Sequence, residues 1–265
     1  MPPQTLSRRT FVESLTAALA AAMLPRGARA EEDGILGQGE FRYRHVPGWG
    51  ALGPDTPLKD CHGMAQARDG RIFLLTNHTA NNVIIYDKAG KLLGKWGTEW
   101  PGAHGLTLFV EDGEERLFVT DHNRHQVFKT TLDGRVLMTL DWPGSTGKYQ
   151  RAEQYKPTHV AVAPDATFYV SDGYGLNYVM HYDARGKLLG CFGGGEGDGA
   201  LKCSHGIHVD LRDPARPVLL VTSRSEKSTR KASWATLGSL EQKVRMFWPN
   251  MECSRGHCSR YSSAL

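Results

Sequence analysis

Four times along its 265 residues the chain restarts one short phrase: His62-Gly-Met-Ala, His104-Gly-Leu-Thr-Leu, Thr158-His-Val-Ala-Val and His205-Gly-Ile-His-Val. The restarts lie 42, 54 and 47 residues apart. Each leads through a polar turn to a second apolar run: Ile72-Phe-Leu-Leu, Leu117-Phe-Val-Thr, Phe168-Tyr-Val-Ser and Val218-Leu-Leu-Val. The first three units continue through a third run (Val83-Ile-Ile-Tyr, Gln126-Val-Phe-Lys, Tyr178-Val-Met-His) and a turn into a fourth. The runs are short, rich in β-branched and aromatic residues, and bounded by Gly, Asp and Asn, which reads as strands. Four short strands repeating every ~40–50 residues are the mark of a β-propeller. A lone blade leaves both faces of its sheet bare, and stacking blades around an axis buries them. No helical pattern separates the strands, which argues against a parallel βαβ sheet. The expected fold is all-β, a propeller of about three and a half blades over residues 55–222.

The ends are different in kind. Ser7-Arg-Arg-Thr-Phe precedes an apolar stretch from Leu15 to Leu24 and then Ala28-Arg-Ala. A charged start, a short apolar core and a small-x-small cleavage site predict an export signal of the twin-arginine kind over residues 1–30. The apolar run spans about ten residues where a membrane span needs about 20. The expectation is a bacterial periplasmic or extracellular protein, cut after Ala30, with no stable membrane insertion and with residues 31–54 as a lead-in. After Val218-Leu-Leu-Val-Thr-Ser-Arg the pattern predicts a third and fourth strand, but the chain turns basic instead. Residues 223–265 read either as an extension that docks elsewhere or, the favoured reading, as a frame shift near residue 225 that loses two or so blades.

Charge follows the same division. The net +4 sits in the ends: four Arg against one Glu in residues 1–30, and eight Lys or Arg against three Glu in 223–265. The repeat region between them is net acidic, so no nucleic-acid partner is expected. Five cysteines, at 61, 191, 203, 253 and 258, show no metal-finger spacing. Cys191 and Cys203 flank one loop, where a disulfide and buried thiols both remain open.

Aligning Leu106-Thr-Leu with Val160-Ala-Val and Ile207-His-Val puts His104 and His205 at the same strand-start position of alternate blades. They should share one level of one channel. The third unit has Thr158 there and moves His159 to the Gly position, where strand parity turns it away. His62 takes the matching position in the first unit. Zinc needs at least three protein ligands, so His104 and His205 are candidate ligands with His62 as the repeat-matched substitute. Between them lies Ser171-Asp-Gly-Tyr-Gly, whose glycines permit a tight turn that presents Tyr174 at a strand end. A nearby metal would lower the phenol's pKa and make it a usable base. Each residue alone reads equally as a packing side chain. The equivalent second-unit turn is Asp121-His-Asn-Arg-His, and His122, Arg124 and His125 read as surface or turn residues.

Three blocks carry a family resemblance: Ala103-His-Gly-Leu-Thr-Leu through Phe118-Val-Thr-Asp and His125-Gln-Val-Phe-Lys, Lys156-Pro-Thr-His-Val-Ala-Val through Tyr169-Val-Ser-Asp-Gly-Tyr-Gly, and Ser204-His-Gly. Over roughly residues 55–225 the chain resembles peptidyl-α-hydroxyglycine α-amidating lyase, a six-bladed propeller related to NHL-repeat proteins. The resemblance implies zinc held by three histidines from alternate blades, with His104 and His205 as the first two and Tyr174 as the catalytic Tyr. It also implies a structural calcium, with the Leu106 carbonyl as a ligand. It places a third His and its neighbouring Asp in a last blade that this chain lacks. It also places a catalytic Arg in the first blade's turn, where the sequence reads Thr76-Asn-His-Thr. The function implied is metal-assisted C–N cleavage of a peptidyl-α-hydroxyglycine to an amide and glyoxylate. The alternative is a non-catalytic extracytoplasmic propeller that binds a peptide, a small molecule or a protein on its face, a choice the fold does not make.

Overall fold

The structure is a computed structural model, and it describes residues 35–197 and 199–223 together with the backbone of 236–237 and 242–247. The export signal expected over residues 1–30, and nearly all of the basic tail, lie outside the described residues. The chain divides into two units, one up to Trp49 and one from Gly50. The first contains a hairpin of β1 (Ile35–Gln38) and β2 (Phe41–Arg44), turning at Gly39 with φ 60°.

The second unit is built of four-stranded sheets. The first blade is β3 (Cys61–Gln66), β4 (Ile72–Thr76), β5 (Val83–Tyr86) and β6 (Leu92–Trp96). The second is β7 (Ala103–Glu111), β8 (Glu114–Asp121), β9 (Gln126–Thr131) and β10 (Val136–Leu140). The third is β11 (His159–Val162), β12 (Phe168–Ser171), β13 (Tyr178–Tyr182) and β14 (Leu188–Gly193). In all three, consecutive strands pair antiparallel in chain order. The inner strands β3, β7 and β11 pack side by side in that order, followed by β15 (Ile207–Asp210) of a fourth sheet. This is the propeller arrangement that the repeat predicts. Among the described residues no helix is long and apolar enough to cross a membrane.

The core lies in the layers between blades, which is why the strand runs are apolar on both faces. Leu117 and Val119 of β8 pack toward the first blade's Phe73, Leu75, Val83 and Ile85. Phe118, the residue between them, turns the other way and packs on Val160, Phe168 and Met180 of the third blade. Its ring lies 4.8 Å from Phe109 and 4.7 Å from Phe168. Ala161, Tyr169 and Val179 then meet Ile207, Leu219 and Val221 of the fourth sheet. Alternation with period two, applied to a sheet buried on both sides, produces this run of buried positions.

The fourth sheet begins as a blade and then departs from it. β15 pairs antiparallel with β16 (Val218–Thr222), as the half-blade expectation requires. The next strand in the sheet is β18 (Gln242–Phe247), which runs parallel to β16, with Val218 opposite Lys243 and Thr222 opposite Phe247. β17 (Thr236–Leu237) pairs with β18 on its far side. A parallel neighbour requires a long return connection rather than a hairpin, and residues 223–241 supply that length.

The glycines after His62 and His104 have a packing reason. A Cβ on Gly105 would stand 2.9 Å from the His159 Cα and still closer to the Thr158 carbonyl oxygen of the next blade. A Cβ on Gly63 would stand 2.6 Å from the Leu106 Cβ. Blade-to-blade contact at this level is backbone against backbone. Gly105→Ala should therefore force the second and third blades apart and lower stability by about 1–3 kcal/mol. Urea unfolding measures this, and an unchanged midpoint would mean that the inner strands yield freely here.

Candidate functional site

The channel end of the inner strands gathers five rings: His62, His104, His122, Tyr174 and His205. His104 is at the centre. Its ring stacks on His62 at 4.4 Å and 17°, and lies 5.4 Å from His205, 5.1 Å from Tyr174 and 6.0 Å from His122. Tyr174 is also 4.5 Å from His205 and 5.5 Å from His122. The three residues that the sequence groups together, His104, His205 and Tyr174, thus lie in mutual contact.

Strand bulges aim two of these histidines. In the first blade Cys61 faces Thr76 and Gly63 faces Leu75, so His62 is the extra residue. In the second blade Ala103 faces Asp121 and Leu106 faces Val119, and the bulge falls across His104 and Gly105. A bulge re-aims a side chain out of strict alternation. The two bulges are offset by one step, so Gly63 rather than Met64 takes the place of Leu106. Met64 is 57% exposed whereas Leu106 is 4% exposed. His62 is therefore not level with His104, as the repeat alignment has it, but stacks against its face. Leu106 sits in β7 with its side chain in the layer between the first two blades.

Hydrogen bonds fix the tautomers of the two central histidines. His104 Nδ1 lies 2.9 Å from the Thr158 carbonyl oxygen, and His205 Nδ1 lies 2.9 Å from the Cys203 carbonyl oxygen. A carbonyl only accepts, so each Nδ1 carries the proton and each Nε2 presents a lone pair. His104 Nε2 accepts the Tyr174 hydroxyl at 3.2 Å. His205 Nε2 is buried and has no hydrogen-bond partner among the described residues. Burial pushes the His104 imidazole down to about 3 against the pull of the Thr158 carbonyl, and lowers His205, His62 and His122 as well. All four are neutral bases at pH 7.

The Thr158 carbonyl also accepts the Thr120 hydroxyl at 3.1 Å, and the Ser204 carbonyl takes the hydroxyls of Thr158 at 2.6 Å and Ser171 at 2.9 Å. Each blade's outer hydroxyl thereby locks the start of the next inner strand. Thr158, which replaces a histidine at this level, is a structural link. His159 lies away from the five rings. Its Nδ1 accepts the Ile207 N–H at 3.4 Å in the gap between blades, and burial pushes it down to about 4.

Tyr174 is held by a buried carboxylate. Asp172 Oδ1 accepts the Lys156 N–H at 2.7 Å, and Oδ2 accepts the Leu176 N–H at 2.7 Å and the Tyr149 hydroxyl at 2.6 Å. Burial pushes the carboxyl up to about 6, while these donors pull it down. Gly173 and Gly175 are required here, because a Cβ on either would collide with the Ser204 carbonyl or the Asp172 carboxylate. Asp121 builds the second-blade turn in the same way, accepting from Gly102 at 3.1 Å and from Asn123 and Arg124 at 2.8 Å.

That second turn corrects one expectation. His122 is not simply a surface residue, since it is half-buried and its ring edge faces Tyr174 and His104. The available signal was its place directly after Asp121, in the turn equivalent to the one that carries Tyr174. Arg124 bonds to the Glu99 carbonyl and Gln126, and His125 to the Tyr155 carbonyl. In the first blade's turn His78 Nδ1 accepts the Ala80 N–H, and Asn77 bonds to Asp60. Cys191 and Cys203 form no disulfide; the Cys203 sulfur lies 3.4 Å from His205 Nδ1.

The chain is similar to peptidyl-α-hydroxyglycine α-amidating lyases. It is 33% identical over 115 residues to lyase 2 of Drosophila melanogaster, covering 41% of this chain and 27% of that protein. It is 37% identical over 146 residues to the Caenorhabditis elegans protein named "probable peptidyl-alpha-hydroxyglycine alpha-amidating lyase pgal-1", covering 49% of this chain and 41% of that protein. The chain thus spans less than half the length of these relatives. No protein-family model matches it. Virginiamycin B lyase from Staphylococcus aureus superposes with a TM-score of 0.48 at 14% identity, over 72% of this chain and 56% of that one.

Proposed function

We propose that the five-ring site is a lyase site that cleaves the C–N bond of a peptidyl-α-hydroxyglycine, with His104 and His205 holding zinc and Tyr174 acting as base. The observation that carries this reading is the buried, unpartnered His205 Nε2 beside a second imidazole of the same tautomer. A buried acceptor left without a donor costs about 1–3 kcal/mol. A cation is the natural partner for such a lone pair. Nδ1–H bonded to a backbone carbonyl is the usual outer support of a zinc-ligating histidine. Neutral imidazoles also bind metal without first losing a proton. Among the described residues no group of three or more His, Cys, Asp or Glu is arranged to hold a metal ion. The two imidazoles therefore make an open site, with His62 stacked beside it as the nearest further nitrogen donor.

Zinc bound there would act as a Lewis acid on the substrate hydroxyl. The remaining work falls to the chain. Tyr174, as its phenolate, would take the hydroxyl proton, the electrons left on oxygen would form the carbonyl of glyoxylate as the C–N bond breaks, and the proton held by Tyr174 would pass to the departing amide nitrogen. His104 and His122 border the Tyr174 ring and keep the phenol over the reacting carbon, while the turn anchored by Asp172 fixes its backbone. The Leu106 carbonyl as a calcium ligand, and export through the leader at residues 1–30, belong to the same reading.

The test is release of glyoxylate from a short N-acyl-α-hydroxyglycine by the zinc-loaded chain. Turnover should stop after chelation and return when zinc is added back. A zinc-loaded chain that releases glyoxylate no faster than buffer would overturn the proposal.

A further inference from the structure

We infer that Tyr149 is a positioning residue for Tyr174, acting through the Asp172 carboxylate. Tyr149 stands outside the repeat. It lies in the connection 141–158 between the second and third blades, whereas residues 97–102 suffice to join the first and second. Two 3₁₀ turns, Gly144–Thr146 and Ala152–Gln154, fold part of this connection. The Tyr149 ring is buried, with Tyr155 and Tyr178 edge-on to it at 5.5 and 6.0 Å. Its hydroxyl donates to Asp172 Oδ2 at 2.6 Å. The second blade's turn shows what this adds. There Asp121 accepts from the backbone amides of Gly102, Asn123 and Arg124. Asp172 accepts from the amides of Lys156 and Leu176 and, in addition, from one side chain. The turn that carries Tyr174 is thus the one tied by a phenol.

The bond matters for the ionisation state of Asp172. An ionised carboxylate only accepts, and it serves all these donors at once. Protonation turns one oxygen into a donor, so an amide or the phenol loses its acceptor and the turn must shift. Burial pushes Asp172 up to about 6, and the Tyr149 hydrogen bond is the largest of the bonds that pull it back. Tyr149 therefore keeps the carboxylate charged and the Tyr174 turn closed at neutral pH. The groups packed around the pair are Tyr155, Tyr178, Tyr182 and Cys191, with the Lys148 ammonium 5.6 Å from the Tyr178 ring. Burial raises Tyr149, Tyr155, Tyr182 and Cys191, so all four stay neutral at pH 7. Asp172 is the member of this layer that changes charge near neutrality. The inference rests on the lyase reading only for the chemical role of Tyr174. The coupling of its turn to Asp172 does not depend on turnover.

Two measurements on the full chain test this. In NMR spectra of protein with isotope-labelled tyrosine rings, assigned with Tyr174→Phe, the Tyr174 resonance should move as pH passes through about 6. Tyr149→Phe keeps the ring contacts and removes the pull on Asp172, so this midpoint should move to higher pH. Glyoxylate release at pH 7 should fall at least about 10-fold in kcat, within the ~100-fold that a misplaced group can cost, with KM little changed. The deficit should shrink as pH is raised, and Tyr149→Phe should add almost nothing in an Asp172→Asn background. Tyr155→Phe is the control for stability. It removes a buried hydroxyl from the same layer without touching the bond to Asp172, and should move neither the midpoint nor kcat. A Tyr174 midpoint unchanged in Tyr149→Phe, or a rate deficit undiminished in Asp172→Asn, would overturn the positioning role. The two readings fail separately. A midpoint that moves in a chain releasing no glyoxylate would remove the lyase reading alone. Glyoxylate release with an unmoved midpoint would remove the positioning role alone.

Discussion

Replacing His104 by Ala should reduce zinc affinity on the order of 100-fold or more, beyond the 10–100-fold usual for losing an outer-shell partner. Mass spectrometry under native conditions or a competing fluorescent chelator reads this directly. His104 stands at the centre of the cluster, and its Nδ1–H is already committed to the Thr158 carbonyl, so Nε2 is the nitrogen available to a metal. His205→Ala should have a comparable effect. His159→Ala is the control: its ring lies against Ile207, so zinc content should not change even if stability falls. His62→Ala separates two roles for the stacked ring. A loss nearly as large as that of His104→Ala would make His62 a ligand, and a small loss would make it a packing neighbour. Equal zinc retention in the parent and His104→Ala would end the metal-site reading, leaving a propeller with a histidine-lined mouth.

Much of the fold was legible because propeller blades bury both faces. Leu117-Phe-Val puts an apolar side chain on each side in turn, so each second strand reads as an unbroken run and the four runs stand out as a repeat. The strand parity that sends His159 toward the neighbouring blade is equally local. What escaped the reading depends on features without a fixed sequence mark. The offset between His62 and His104 comes from two bulges one step out of phase, and a bulge is one extra residue of no particular type. His122 turns inward because Asp121 gathers the amides of Asn123 and Arg124 in its own turn and that of Gly102 before the inner strand, a hydrogen-bond pattern rather than a composition. The parallel strand β18 carries the alternating Lys243-Val-Arg-Met that suits a strand, but alternation says nothing of direction or partner.

Tyr174→Phe isolates the chemical step from the metal. The substitution removes the hydroxyl that donates to His104 Nε2 at 3.2 Å and leaves the ring, with its edge contacts to His104, His122 and His205, in place. The turn beneath is held by Asp172 through backbone amides and Tyr149, none of which involves the phenol oxygen. Folding and zinc affinity should therefore stay near the parent values, with zinc losing a competitor for the His104 lone pair. Glyoxylate release, by contrast, should fall by about 10²–10⁴, the usual contribution of a positioned general base. The fall should appear in kcat rather than KM, because the phenol acts on a proton that moves only in the reaction. Unchanged turnover in Tyr174→Phe would assign the base elsewhere, and His122, 5.5 Å from the same ring and neutral at pH 7, would be the next residue to replace.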